Sequence, residues 1–127
     1  MSKTWFERNE TRLRFTQGCL TDCVAYFFNL HPVHVPFFVY PRKGWNDRLK
    51  AFFRRHGYEA HWVDTAYGTR SFRIPKRGLS IVCGNSLRWK TAAHVVVYRD
   101  GKLAYDPQYP SLWNDKRITH RLVVRKL

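Results

Sequence analysis

The chain has 127 residues, of which 44% are apolar and 17% aromatic. This length fits a single domain over 1–127, which buries enough apolar surface to fold without a structural metal or a disulfide framework. No apolar run approaches the roughly 18 residues that a membrane-spanning helix needs. Residues 1–14 are charged where a signal peptide is apolar, and three cysteines, an odd number, are interpreted as thiols, so a cytoplasmic protein is expected.

The net charge is strongly positive, with 23 Lys and Arg against 9 Asp and Glu, or +14. There are 13 basic and 3 acidic residues in 65–127 (+10), against 10 and 6 in 1–64 (+4). Such a field attracts anionic partners, which include nucleic acid, an acidic protein or substrate, and an anionic surface. Nucleic acid is not favoured, because no zinc-finger spacing, RNA-recognition signature or glycine-rich phosphate loop accompanies the charge.

The first clear element is a helix that begins near Thr21 or Asp22, either of which can cap it. Residues 23–30 are apolar on nearly every side, which is typical of a helix enclosed by the core. His31-Pro32 ends this helix, because the residue before a proline disfavours helical backbone angles. An extended connector is predicted over 35–38.

A second helix is indicated by apolar spacing at i, i+4, i+7, i+8 and i+11, with Gly57 as its stop signal. The residues on this face are Trp45, Leu49, Phe52, Phe53 and His56. Strands follow, predicted over 58–64, 79–83, 92–98, 102–105 and 118–124, with Asp100-Gly101 as a hairpin turn. The fold class is therefore α+β, with N-terminal helices packed on an antiparallel sheet.

Cys23 is the candidate nucleophile. In the first turn of its helix, the positive end of the helix dipole would lower the pKa of the thiol and favour the thiolate. The alternative is a buried structural cysteine, since free cysteine is among the most buried residue types.

His94 and Asp106 are the candidate base and its orienting carboxylate. His94 opens one strand and Asp106 closes the next, and a tight turn centred near residue 100 pairs these strands antiparallel. The two side chains would then be cross-strand neighbours, with one imidazole nitrogen bonded to the carboxylate and the other facing a thiol. Gln17, just before the nucleophile's helix, could donate to an oxyanion beside the backbone N–H of Cys23, although a lone glutamine is commonly only a solvated side chain.

The pattern Gln17-x5-Cys23, with Asp22 before the cysteine, resembles the nucleophile motif of papain-like cysteine peptidases. The segments 93–98, 100–102 and 105–107 are similar to the histidine strand, turn and Asp-Pro strand of the branch that processes double-glycine leaders of bacteriocins. Segments 35–38, 45–49 and 57–58 resemble small phage and bacterial proteins of the same group. The resemblance implies a papain-like fold, with Gln17 as oxyanion donor, Cys23 as nucleophile, His94 as base and Asp106 as orienter.

Two departures from this family stand out. Tyr26, Phe27 and Phe28 follow the cysteine, where the family has small residues, so narrower access to the thiol is expected. The chain also lacks the transporter segments to which leader peptidases are often fused, so leader processing is not implied.

Several other residues are of types that can carry chemistry. Cys19, Cys23, His31 and His34 have a central gap too short for a zinc finger, so no metal site and no cofactor is predicted. Cys19 could be a resolving thiol or buried filler, and Cys83 is expected in the core. Trp89 precedes the His94 strand and is a candidate substrate contact.

The function expected from this pattern is a papain-like cysteine hydrolase, a peptidase, isopeptidase or amidase that acts on a peptide or protein through a thioester. Transfer of the acyl group to an amine is a variant of the same chemistry. The alternative is a catalytically inert papain-like fold that serves as a basic binding module for an acidic protein or nucleic acid. The protein is expected in the cytoplasm of a bacterium, or of the host if it is phage-encoded.

Overall fold

The computed structural model describes residues 14–15, 18–64, 74–85, 92–108, 111 and 113–127. Two helices and six strands occur in these segments, with short 3-10 turns at Pro32–His34 and Asp115–Arg117. In chain order they are β1 (Arg14–Phe15), α1 (Cys19–Phe28), α2 (Trp45–Arg55), β2 (Tyr58–Asp64), β3 (Leu79–Asn85), β4 (Ala92–Arg99), β5 (Lys102–Tyr105) and β6 (Ile118–Lys126). None of the helices in these segments is long and apolar enough to cross a membrane.

Helix α1 begins two residues earlier than the sequence predicts. Gly18 precedes it with φ 72°, a left-handed conformation that favours glycine, and no side chain caps the helix. Thr21, the expected cap, is instead inside the helix, and its hydroxyl donates to the carbonyl of Pro36 at 2.7 Å. At the other end Asn29, with φ 54°, donates its backbone N–H to the last carbonyls, so the helix stops before His31.

Helix α2 agrees with its predicted amphipathic pattern. Trp45, Leu49 and Phe53 are fully enclosed, while Arg54 and Arg55 face solvent. Buried Asn46 accepts a hydrogen bond from the indole N–H of Trp62 on β2 at 3.1 Å, which ties the start of the helix to the sheet.

The sheet has five antiparallel strands in the order β5–β4–β3–β6–β2, and β1 pairs in parallel with the start of β4. The β4–β5 connection is the predicted Asp100-Gly101 turn, with φ of 53° and 83° at its two residues. The chain is thus α+β, with two helices on an antiparallel sheet.

Different parts of the chain pack against the two faces of the sheet. On one face, Ala93, Val95 and Val97 of β4 belong to the main core with α1 and α2. On the other face, Val96 and Tyr98 form a smaller core with Val82, covered by residues such as Ile74, Trp113 and Ile118. Strand alternation assigns His94 to this second face.

Candidate active site

A buried pair of side chains lies where β4 begins. His94 Nε2 is 2.5 Å from Asp106 Oδ1, and both side chains are 4% exposed. The carboxylate also accepts the backbone N–H of Gln108 on Oδ1 at 2.9 Å and the hydroxyl of Ser111 on Oδ2 at 2.6 Å. Because both oxygens are engaged, the carboxylate has a fixed orientation, and it orients the imidazole in turn.

The pairing register of β4 with β5 differs from the predicted one, although His94 and Asp106 are still in contact. A turn centred on residue 100 would place Asp106 directly opposite His94. Instead the register shifts at a bulge between Val97 and Tyr98, and Val97 pairs with Tyr105. Asp106, the residue after β5, is therefore diagonal to His94, at a spacing of about 7–8 Å that side chains still bridge.

Trp113 covers the imidazole on the second face of the sheet. Its ring centroid lies 5.9 Å from that of His94, and its indole N–H donates to the Tyr98 hydroxyl at 2.9 Å. That hydroxyl donates in turn to the carboxylate of Asp115. Burial raises the pKa of Tyr98, so the phenol stays protonated and remains a donor. His94 thus lies beside a second group of hydrogen-bonded side chains, formed by Trp113, Tyr98 and Asp115.

Sequence reasoning did not identify Gln108, Ser111 or Trp113. One signal was present, because an aspartate whose side chain accepts the N–H two residues later is a common turn motif, and Asp106-Pro107-Gln108 has that form. Ser111 and Trp113 gave no such signal, since their contacts depend on how the chain returns toward β6.

Cys23 is enclosed in the core on the side of α1. Its residue exposure is 0%, and its thiol donates to the carbonyl oxygen of Val95 at 3.2 Å. Val95 is the residue after His94 in β4. The structure therefore places the candidate nucleophile against the backbone of the strand that carries the candidate base.

The position of Cys23 in its helix differs from the prediction. Because α1 begins at Cys19, Cys23 is the fifth helical residue and lies beyond the first turn. The backbone N–H of Asp22 already donates to Gly18 O at 3.1 Å, so the next N–H, that of Cys23, belongs to the helical hydrogen-bond ladder. It is not available to an oxyanion.

The predicted lowering of the Cys23 pKa is not found. Burial raises the pKa of this thiol well above its usual range, and the neighbouring Cys19, Asp22, Asp106 and Cys83 raise it further. The helix dipole acts on the first turn, whereas desolvation acts wherever the thiol is enclosed, and here desolvation is the larger effect. Cys23 is consequently a neutral thiol at pH 7.

The Cys23 thiol and the His94 imidazole lie on either side of a stretch of β4 whose outer edge pairs with no described strand. Among the described strands, β1 pairs with β4 at residues 92–93 and β5 pairs with it at residues 97–99. Residues 94–96 lie between these pairings, and Asp106 follows the end of β5 beside them. Cys23 reaches this stretch from the face of α1, and His94 belongs to the opposite face.

The aromatic residues behind Cys23 hold α1 in place. Tyr26 stacks on Tyr105 of β5, with ring centroids 4.7 Å apart and planes 4° from parallel. Phe28 packs against Phe53 of α2 with a centroid distance of 5.0 Å, and Phe27 lies 5.7 Å from the same ring. These contacts join α1 to the sheet edge and to α2.

Two of the predicted site residues cannot be placed. Gln17, the expected oxyanion donor, and Trp89, the expected substrate contact, both lie outside the described residues. The donor that would stabilise an oxyanion is therefore not among the groups described above.

Within the described segments, no group of three or more His, Cys, Asp and Glu side chains is arranged to hold a metal ion. His31 and His34 lie beyond the C-terminal end of α1 with ring centroids 6.5 Å apart and are exposed. Cys19, Cys23 and Cys83 are buried, and none of them is in a disulfide.

Comparison with protein-family models, with curated proteins and with solved structures finds no match for this chain.

Proposed function

We propose that the chain is a papain-like cysteine hydrolase with Cys23 as nucleophile, His94 as general base and Asp106 as the residue that orients the base. The observation that carries this proposal is the buried His94–Asp106 hydrogen bond, fixed by Gln108 and Ser111, one residue away from the carbonyl that accepts the Cys23 thiol. A base held by a bonded carboxylate beside a thiol is the arrangement that nucleophilic catalysis requires.

The raised pKa of Cys23 determines the form of the mechanism. The thiol starts neutral, so His94 must take its proton as sulfur attacks the substrate carbonyl. Asp106 occupies Nε2, which leaves proton transfer to Nδ1. The imidazolium then gives the proton to the leaving amine as the C–N bond breaks. Water hydrolyses the resulting thioester and restores the thiol.

The gap in the edge pairing of β4 supports this assignment. The thiol and the imidazole belong to opposite faces of β4, and at residues 94–96, between the pairings with β1 and β5, no described strand covers that edge of β4. Substrate would have to enter there. The net charge of +14 favours a peptide or protein substrate that is acidic.

Selective alkylation tests the proposal. Limiting iodoacetamide is applied to the folded protein between pH 6 and pH 9, and peptide mass mapping gives the rate at each cysteine. We expect Cys23 to react at least about tenfold faster than Cys83. Full general acid–base assistance contributes about a hundredfold or more, so about tenfold is a conservative threshold. His94→Ala should abolish this advantage.

The matched control is His120→Ala. His120 is also a buried histidine of the sheet, but it belongs to β6, which β3 separates from β4, so its removal perturbs packing on a strand that does not carry His94. The advantage of Cys23 should survive in this variant. Equal reactivity of Cys23 and Cys83 in the wild type, or equal effects of the two histidine variants, would refute the hydrolase proposal.

A second candidate function is a papain-like fold without catalysis that acts as a basic binding module. The observation that favours it is the state of Cys23, whose residue is 0% exposed and whose thiol already has a backbone acceptor. An inert Cys23 in the alkylation experiment, together with salt-sensitive binding of an anionic macromolecule, would select this function.

A further inference from the structure

One end of the sheet is densely basic. The antiparallel order brings the end of β4, the start of β5, the end of β6, the segment before β3 and the C-terminal end of α2 to this side of the molecule. Eight basic residues lie there, and all are exposed: Arg54, Arg55, Lys76, Arg77, Arg99, Lys102, Arg125 and Lys126. We call this surface the basic end.

Hydrogen bonds and strand pairings fix these segments next to one another. Arg99 pairs with Lys102 on one side and with Leu79 on the other. Gly78, next to Arg77, donates its backbone N–H to the carboxylate of Asp100 at 2.7 Å and accepts the backbone N–H of that residue at 3.0 Å. The segment before β3 is thus bonded to the β4–β5 turn.

The other half of the basic end is held in the same way. Lys126 pairs with Tyr58 at the start of β2, and the backbone N–H of Leu127 donates to Gly57 O at 2.9 Å. Gly57 in turn donates its N–H to Arg54 O at 3.0 Å, which positions the last turn of α2 beside the strand ends. Cations from five separate segments therefore share one surface.

Few carboxylates offset these cations. Among the described residues at this end, Glu59 forms an exposed ion pair with Arg125 at 2.5 Å, and Asp100 is bonded to the Gly78 backbone. Seven of the eight basic side chains have no ion pair with either of these carboxylates. A positive potential of this kind concentrates anions close to the surface.

We infer that the basic end binds the phosphate backbone of a nucleic acid. Strand ends in a sheet are about 4.8 Å apart, so five strands form a row of cations about 19 Å long. One nucleic-acid strand carries a phosphate about every 3.4 Å along the duplex axis, so the row faces several consecutive phosphates. Exposed Lys and Arg on one row are the footprint of backbone binding.

An acidic protein fits this surface less well. Stable protein interfaces have a buried apolar or aromatic centre and are depleted in lysine. The large apolar residues that the structure shows exposed near this end are Leu103 and Leu127, on β5 and just after β6. Two other strands separate β5 from β6, so the two residues form no continuous apolar patch. This inference does not depend on catalysis by Cys23, because β4 separates His94 from Arg99 by about 17 Å.

Fluorescence anisotropy of a labelled oligonucleotide, single-stranded and as a duplex, tests the inference with the full chain at 50 to 200 mM salt. Removing two phosphate contacts, as in Arg99→Gln/Lys102→Gln, should lower the salt slope by about 1.4 for a single strand or 1.8 for a duplex. For the duplex, the loss of affinity across this salt range then becomes about tenfold smaller. Lys76→Gln/Arg77→Gln, on another segment, should act similarly.

The control is Arg42→Gln/Lys43→Gln, which lowers the net charge equally but lies before the opposite end of α2. It should leave the slope nearly unchanged. Equal effects of control and test variants would overturn the inference, because binding would then follow net charge alone. Absence of binding at 50 mM salt would also overturn it, as would competition by poly-glutamate at equal charge, which points to an acidic protein partner.

Discussion

At the scale of single residues, Asp106 holds the candidate base in place through its own hydrogen bonds. Its two carboxylate oxygens accept from Gln108 and Ser111, and one of them also contacts His94; the side chains of Asp106 and His94 are each only 4% exposed. A buried polar group that loses its partner has a high desolvation cost. The hydrogen bonds that orient His94 therefore also stabilise the folded chain around Asp106.

Asp106→Ala should lower the free energy of unfolding by at least about 2 kcal/mol, since each buried partner left unsatisfied costs about 1–3 kcal/mol. Urea unfolding followed by tryptophan fluorescence gives this value. Glu59→Ala is the control, because Glu59 is an acidic residue in an exposed ion pair with Arg125, and the loss of such a pair should cost less than about 1 kcal/mol. Equal losses in the two variants would contradict the assigned role of Asp106.

At the scale of elements, the close approach of the segment before β6 to β3 depends on Gly84. This residue pairs with His94, and a bulge in the β3–β6 register lies beside it. A Cβ atom at Gly84 would lie 2.1 Å from the carbonyl oxygen of Arg117 and 2.7 Å from the Trp113 ring. Backbone cannot move away as a flexible side chain can, so glycine allows the chain before β6 to close over the second face.

Gly84→Ala should therefore be destabilising by about 1–3 kcal/mol or more, the usual range for added volume in a packed site. Urea unfolding measures the loss, and the near-ultraviolet circular dichroism of the tryptophans reports the displacement of Trp113. Gly57→Ala is a useful comparison, since a Cβ there meets nothing within 4 Å and only its positive φ opposes the change. A neutral Gly84→Ala would show that the contact with Arg117 is absent.

At the scale of the whole molecule, the core contains thiols whose protonated form is favoured by folding. Burial raises the pKa of both Cys23 and Cys83. Each contributes stability that is complete below the pKa of an unfolded cysteine, about 8.5, and that declines as the pH rises above it toward the folded pKa. The unfolded chain releases these protons first, so alkaline conditions favour unfolding.

The free energy of unfolding should thus fall between pH 8.5 and pH 10 by about 2 kcal/mol for each such thiol, or about 4 kcal/mol for the two. Urea titrations at several pH values give the slope. Cys23→Ala and Cys83→Ala should each be less stable at pH 7 but should each have a shallower decline above pH 8.5. An unchanged decline in both variants would show that neither thiol is buried in solution.

The local pattern determined much of the fold. The amphipathic spacing from Trp45 predicted α2, the strand-forming residues of 58–64 and the apolar run of 92–98 predicted β2 and β4, and Asp100-Gly101 predicted the turn, because these depend on neighbours along the chain. The same turn brought His94 and Asp106 within reach before any tertiary contact was known. A short-range rule was sufficient for that half of the candidate site.

Tertiary structure decided what the local pattern left open. Gly18 and the packing of Cys19 and Leu20 set the start of α1, and this start removes Cys23 from the first turn of the helix. The register shift beside Val97, the enclosure of the thiol and its bond to Val95 all depend on how distant segments pack. Desolvation and strand register are properties of the assembled core, so a sequence pattern that identifies the nucleophile does not determine its pKa.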